Sequence, residues 1–163
     1  MRRILTWAAL AFAIDQLSKV IVVHAMNLKT VGVIEVLPPL LTFRMGWNEG
    51  VNFGLMSGAG ARWLLVAVAI GVSGLLLRWA RGFARPVGQI AAGLVIGGAL
   101  ANALDRVIYG AVADFLNMSC CGIRNPYAFN IADVFIFAGA FGLIVWADDP
   151  KKQQAGKADG KTP

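Results

Sequence analysis

Four apolar segments constrain this chain more than any other feature. They run over roughly residues 4–25, 61–77, 87–108 and 131–146. A hydrocarbon core needs ~20 helical residues to cross it, so each segment is long enough, or nearly so. The expected fold class is an all-α integral membrane protein with four transmembrane helices. A length of 163 residues suffices for one domain and not two. Composition agrees, since 58% of residues are hydrophobic and 15% charged, where a soluble domain carries about a quarter charged.

A net charge of +6 would suit nucleic acid, but its placement argues otherwise. The basic residues lie in short polar segments between and beyond the apolar runs, with no basic face or aromatic interleaving, so no nucleic-acid partner is expected. Arg2, Arg3, Arg78, Arg81, Arg85, Lys151, Lys152, Lys157 and Lys161 fall on one side of a four-span plan. Lys29, Arg44 and Arg124 fall on the other, with Arg62 at a boundary. Basic residues concentrate on the cytoplasmic side, which puts both termini in the cytoplasm. Met1-Arg-Arg before an apolar run also fits a secretory leader. The polar stretch Asp15-Gln-Leu-Ser-Lys, followed by further apolar residues, suits a span with a polar inner face better.

Residues 1–146 therefore read as one membrane domain with an extracytoplasmic, β-containing flap over about 27–60. Within the flap, residues 30–36 and 41–47 are rich in β-branched and aromatic types and are separated by Pro38-Pro39, the pattern of a strand pair. Its many apolar side chains, Phe53, Leu55 and Met56 among them, suit a surface lying against the membrane. Residues 147–163 read as a polar, disordered cytoplasmic tail. The two cysteines, Cys120 and Cys121, are adjacent, which gives neither a disulfide framework nor metal-ligand spacing. His24 is the lone histidine and falls near a span end, so no metal and no cofactor are expected. A bridge between adjacent cysteines closes a strained ring, and free thiols are expected.

Ionisable side chains in or beside the spans carry the functional signal, because such groups are costly in lipid and face the bundle interior. Asp15 and Lys19 stand i,i+4 on one face of the first helix and read as a buried ion pair. A Ser18–Lys19 nucleophile and base is disfavoured, since i,i+1 neighbours point apart. Asn102, Asp105 and Arg106 close the third span and can approach one face, with Asp114 following Tyr109-Gly110. Asn130 and Asp133 open the fourth. An outward third helix and a returning fourth bring Asp114 and Asp133 to one outer edge of the membrane, 19 residues apart in sequence.

Two carboxylates close together in low dielectric do not both ionise; one pKa rises and the pair shares a proton. In that state one carboxylate takes a proton from water while the other donates to a scissile carbonyl. The residues alone leave two other readings open. The aspartates can merely cap or solvate helix ends, or the bundle can be a small proton-coupled transporter. A carrier would hold its acidic residues near the midplane and often show an inverted repeat; no repeat is visible.

Five segments decide among these by resemblance. They are Asp15-Gln-Leu-Ser-Lys, Asn48-Glu-Gly-Val-Asn-Phe, Gly97-Gly-Ala-Leu-Ala-Asn-Ala-Leu-Asp-Arg, Val112-Ala-Asp-Phe and Phe129-Asn-Ile-Ala-Asp. In this order, on a four-span plan, they resemble the bacterial lipoprotein signal peptidase (signal peptidase II) family over nearly the whole chain. The resemblance implies an aspartic endopeptidase with Asp114 and Asp133 as its catalytic pair. It further implies that Asn48, Gly50, Asn102, Asp105, Arg106 and Asn130 line or support the site, with Asp15 and Lys19 organising the bundle. Family members cleave diacylglyceryl-modified prolipoproteins just before the lipidated cysteine. That implies a multi-pass monomer in the bacterial inner membrane, with the site at its outer face and lipid as a partner. Small residues Gly93, Gly97, Gly98 and Ala101 would let helices close around a signal helix. The chain departs from the family pattern at Ala101, at Asn52 and in the loop from Cys120 to Ala128, which lacks a tryptophan.

Overall fold

The structure, a computed structural model, describes residues 1–50, 59–122 and 125–147. The expectations for Asn52, Phe53, Leu55, Met56, Arg124 and the tail beyond Ala147 lie outside the described residues. Helix α1 (Arg2–Lys19) continues as a π-helical turn (Val20–Ala25), followed by the short α2 (Leu28–Val31). Strands β1 (Val33–Leu37) and β2 (Leu41–Asn48) come next, then α3 (Ala59–Ala80), α4 (Pro86–Tyr109), β3 (Val112–Met118) and α5 (Ile131–Trp146). Among the described residues, three helices are long and apolar enough to cross a membrane: the first with its π-turn, α3 and α4. Helix α5 is apolar but 16 residues long.

Each helix follows its apolar run, and the outer faces keep those residues exposed: Leu75 on α3, and Phe137, Phe141 and Ile144 on α5. An apolar surface of that extent has lipid as its solvent. Helix α4 lies between α1 and α5 because its small residues admit them. A Cβ on Gly97 would collide with the Ala8 carbonyl oxygen and stand 2.8 Å from Ala11 Cβ. On the opposite face, a Cβ on Gly98 would stand 2.6 Å from the Ala132 carbonyl oxygen. Without side chains at these positions the backbones touch, and dispersion between them replaces the hydrophobic drive that lipid removes.

The core is split between the two ends. Ile4, Ala8, Ala80, Phe83, Ala92 and Ile96 pack at the end that holds Met1 and Ala147. Val22, Val23, Leu28, Ala113 and Phe115 pack at the other, beneath an antiparallel sheet of order β1-β2-β3. Three differences from the sequence reading stand out here. Residues 28–31 form a helical turn ended by Gly32 at φ +80°, where a strand from residue 30 is expected. The sheet also has a third strand, β3, which pairs Gly46 with Asp114 and Trp47 with Ala113. Cys120 and Cys121 are joined as a disulfide, a correction to the expected free thiols. The turn accommodates the pair with Cys121 in the left-handed region at φ +59°.

Candidate active site

Strand β3 and the start of α5 bring Asp114 and Asp133 to one place. Asp114 is 4% exposed. Its Oδ2 accepts from Asn48 Nδ2 at 3.0 Å across the β2–β3 pairing, and its Oδ1 accepts from Asn130 Nδ2 at 2.7 Å. Asp133 is the third residue of α5, and Asn130 is its N-cap. Asn130 Oδ1 accepts the Asp133 N–H at 2.9 Å while Asp133 Oδ2 accepts the Asn130 N–H at 3.2 Å, a capping box. Asp133 therefore does cap a helix, with one oxygen only. Its Oδ1 remains for Asn102 Nδ2, which donates at 2.9 Å.

The two asparagines fix each other. Asn130 Nδ2 also donates to Asn102 Oδ1 at 3.1 Å, and Lys19 Nζ donates to that oxygen at 3.4 Å. Flipping either amide would set a carbonyl oxygen against a carboxylate, so both orientations follow from the network. The result is two carboxylates linked through the paired amides of Asn130 and Asn102, both already committed to fixed donors.

Burial pushes the Asp114 carboxyl up from 3.8 to about 6. The Asn48 hydrogen bond opposes this, the nearby Asp133 charge adds to it, and Asn130 and Lys19 oppose it again. Desolvation thus outweighs the like charge that sequence reasoning put first. One carboxylate of the pair can hold a proton close to neutral pH, and a proton donor beside an acceptor is what general acid–base hydrolysis needs.

The supporting residues divide into three groups. Asp15 and Lys19 pair at 2.7 Å as expected, but Lys19 Nζ also stands 2.7 Å from Asp105 Oδ2. Asp105 therefore faces α1 and not the dyad, although Asn102, three residues away, faces the dyad. Ser18 Oγ donates to the Asp15 carbonyl at 2.6 Å, which removes it as a nucleophile toward Lys19. Gln16 Nε2, which sequence reasoning missed, donates to Asp15 Oδ2 at 3.2 Å and Asp105 Oδ1 at 3.0 Å. Arg106 Nη1 donates to the Asn102 carbonyl at 3.2 Å, and its Nε has no partner among the described residues.

Gly50 holds φ +86° and donates its N–H to Asn48 Oδ1 at 2.9 Å, which turns Asn48 Nδ2 toward Asp114. A Cβ there would stand 2.5 Å from Leu65 Cδ1 and 3.3 Å from Arg106 Nη2. The backbone angle favours glycine there.

Two openings flank the carboxylates. A polar hollow of about 330 Å³ is lined by Gly46, Trp47, Asn48, Glu49, Asp114 and residues 126–128. An apolar groove of about 520 Å³ is lined by Phe129, Asp133, Val134, Phe137 and Ala138. Asn117, also missed, secures the wall of the hollow by donating to the Asn125 and Tyr127 carbonyls at 2.8 Å each. Its signal was a lone amide in an apolar stretch. His24 Nε2 lies 3.0 Å from the Tyr109 hydroxyl at the same end of the bundle.

Comparison with known proteins matches residues 7–147 to a family model described as signal peptidase (SPase) II. Relatives named lipoprotein signal peptidase include one from Methylorubrum extorquens, 44% identical over 67% of this chain and 64% of its own length. One from Methylobacterium radiotolerans is 44% identical over 76% of this chain and 74% of its own. One from Alteromonas mediterranea is 38% identical over 98% of this chain and 88% of its own. A solved structure described as a bacterial membrane enzyme superposes with a TM-score of 0.72 at 26% identity, covering 98% of this chain and 92% of that one. A second reaches 0.74 at 28% identity, over 87% and 90%.

Proposed function

The chain belongs to the signal peptidase II family, and from that premise we propose that it removes signal peptides from prolipoproteins as an aspartic endopeptidase with Asp114 and Asp133 as its catalytic pair. The observation that carries the assignment is the Asn130 side chain, bonded to Asp114 Oδ1 by its Nδ2 and to the Asp133 N–H by its Oδ1. It holds one raised carboxyl next to one that accepts two N–H bonds. Asp114 is the acid and protonates the scissile carbonyl oxygen. Asp133, at a helix N-terminus suited to an anion, takes the proton of a water lying between the two. The carbonyl becomes a tetrahedral diol; its collapse returns a proton to the leaving amine. With a pKa near 6, Asp114 carries its proton in about a tenth of molecules at pH 7, and a substrate that expels water raises that fraction.

The substrate is the diacylglyceryl-modified form, cut just before the lipidated cysteine. Helix geometry supports this. At ~1.5 Å per residue, α4 rises about 36 Å and α5 about 24 Å, from their 24 and 16 residues. The two helices share an end, since a Cβ on Gly88 of α4 would stand 3.1 Å from the Trp146 carbonyl of α5. The dyad is therefore recessed about 10 Å below Tyr109, at a depth where a cysteine held by acyl chains presents its peptide bond. The apolar groove at Asp133 opens toward lipid, and the polar hollow at Asp114 supplies water. The three long helices and the shorter α5 cross the bacterial inner membrane, both termini are cytoplasmic, the site faces outward, and a monomer contains the complete site.

The test is turnover of a prolipoprotein peptide, with and without diacylglycerol on its cysteine, by protein reconstituted in lipid. The lipidated form alone is cut, and Asp114→Asn or Asp133→Asn abolishes cutting in folded protein. Turnover retained in either variant removes the mechanism. Equal cleavage of both peptides removes the substrate assignment.

A further inference from the structure

Two backbone amides next to the dyad are held by carboxylates that the chemistry does not use. Asp105 Oδ2 accepts the N–H of Ala113, the residue before Asp114, at 3.1 Å. Asp15 Oδ1 accepts the N–H of Ala132, the residue before Asp133, at 2.8 Å. Lys19 Nζ stands 2.7 Å from the Oδ2 of each carboxylate, and Gln16 Nε2 donates to both. The arrangement has one plan on two sides: shared cation, carboxylate, amide, then catalytic aspartate. From it we infer that Asp15, Lys19 and Asp105 form a positioning device that sets the spacing of Asp114 and Asp133 through the Ala113 and Ala132 amides. The inference rests on the reading of those two residues as the catalytic pair.

The charge balance argues against a plain ion pair. Asp15 and Asp105 are fully buried and Lys19 is 3% exposed. One cation faces two carboxylates away from water. Neutralising Lys19 needs one carboxylate; a second adds desolvation cost that a paired charge does not recover. What the second carboxylate gains is the Ala113 amide, and with it a tie from α1 and α4 to β3. The first ties α1 to α5. The dyad residues come from β3 and α5, two elements joined by a loop, and the shared lysine makes their separation a property of one rigid cluster. A buried N–H has to find an acceptor; here both find one whose position Lys19 and Gln16 dictate.

The device is tested in the full chain in lipid by comparing Asp105→Asn with Asp105→Ala, together with amide exchange by NMR. Asparagine keeps an acceptor oxygen for Ala113, so kcat stays within about tenfold, the gap between a charge-assisted and a neutral hydrogen bond. Alanine frees the amide, and kcat falls about 100-fold, as a misplacement of ~1 Å does, while KM moves less than about threefold. In Asp105→Ala, exchange accelerates at Ala113 and also at Ala132, through the shared lysine, but not at Phe115, whose N–H is held by the Phe129 carbonyl at 3.0 Å. A merely structural role predicts less folded protein with normal kcat in the folded fraction. That outcome, or a loss confined to KM, or acceleration at Ala113 alone, overturns the inference. If Asp105→Ala does not fold, wild-type exchange decides: Ala113 or Ala132 exchanging freely while Phe115 is protected overturns it. Retained turnover in Asp114→Asn sinks the dyad reading instead, on a different variant.

Discussion

Gly98→Ala places a methyl group where α4 meets α5, one turn before Asn102 and beside the residue preceding Asp133. The added Cβ would stand 2.6 Å from the Ala132 carbonyl oxygen and 2.9 Å from Ile136 Cγ1, where ordinary contact begins at 3.4 Å. Restoring that contact needs the helices to part by about 0.8 Å, the difference between 3.4 and 2.6 Å. Overpacking of this kind costs about 1–3 kcal/mol, and the helix propensity gained by alanine returns about 1 kcal/mol. The protein therefore folds, with a modest loss. The site suffers more. Passed on in full, the displacement stretches the Asn102–Asp133 bond from its 2.9 Å beyond hydrogen-bond range, and a shift of ~1 Å lowers kcat about 100-fold, or about 2.7 kcal/mol of barrier. Steady-state cleavage of the lipidated peptide and thermal unfolding are measured together. Gly74→Ala is the control, because nothing lies within 4 Å of its Cβ; it keeps full activity. A folded Gly98→Ala protein with normal kcat would refute the dependence of the dyad on the α4–α5 spacing.

The remaining predictions concern protonation and access. The folded pKa of Asp114, about 6 against 3.8 when unconstrained, makes its stabilising contribution complete below about pH 4 and progressively lost as pH rises through 6. At ~1.36 kcal/mol per unit, the penalty above pH 6 approaches about 3 kcal/mol, so unfolding at pH 5 and pH 7.5 shows a slope that Asp114→Asn removes. If Asp114 is the acid, kcat/KM of the wild type also falls as pH rises through about 6, and a profile flat across that range contradicts the role. Asn117→Ala frees the strand that walls the hollow, raising KM several-fold with kcat within about twofold; an unchanged KM would mean that this wall does not meet substrate.

Hydropathy made the helices legible, because a run that must satisfy its backbone in lipid has few options. The expected segment over residues 131–146 coincides with α5. Asp15 and Lys19 were legible for a local reason, an i,i+4 spacing on one helix. Their second partner was not, since Asp105 reaches Lys19 only through the register of α1 against α4, which close glycine contacts set. Strand β3 escaped for the same reason: its pairing connects Asn48 to Asp114 across 66 residues, and a seven-residue strand after a helix carries little pattern of its own. The wall of the hollow, at residues 126–128, has no periodicity to read. Its position depends on Asn117, whose two bonds are invisible in the order of residues.

A polar network buried at this depth constrains the chemistry as well as the fold. In low dielectric an unpaired amide or carboxylate costs several kcal/mol; Asn130 Nδ2 donates to Asp114 and to Asn102, and Asn102 Nδ2 donates to Asp133. The asparagines therefore cannot rotate to separate the two aspartates, and Asn48 is held likewise by the Gly50 N–H. With rotation closed the two carboxylates stay together, and burial first, then the Asp133 charge, moves Asp114 toward its protonated form against the Asn48 and Asn130 bonds. The variant that tests the bridge is Asn130→Asp, which exchanges the bridging donor for a third carboxylate while keeping its shape and its cap oxygen. Like charge then adds to desolvation, and the pH at which kcat/KM falls moves upward by a unit or more. Loss of the Asn130 bond acts in the same direction, so an unchanged pH would mean that the Asn130 bridge has no hold on Asp114.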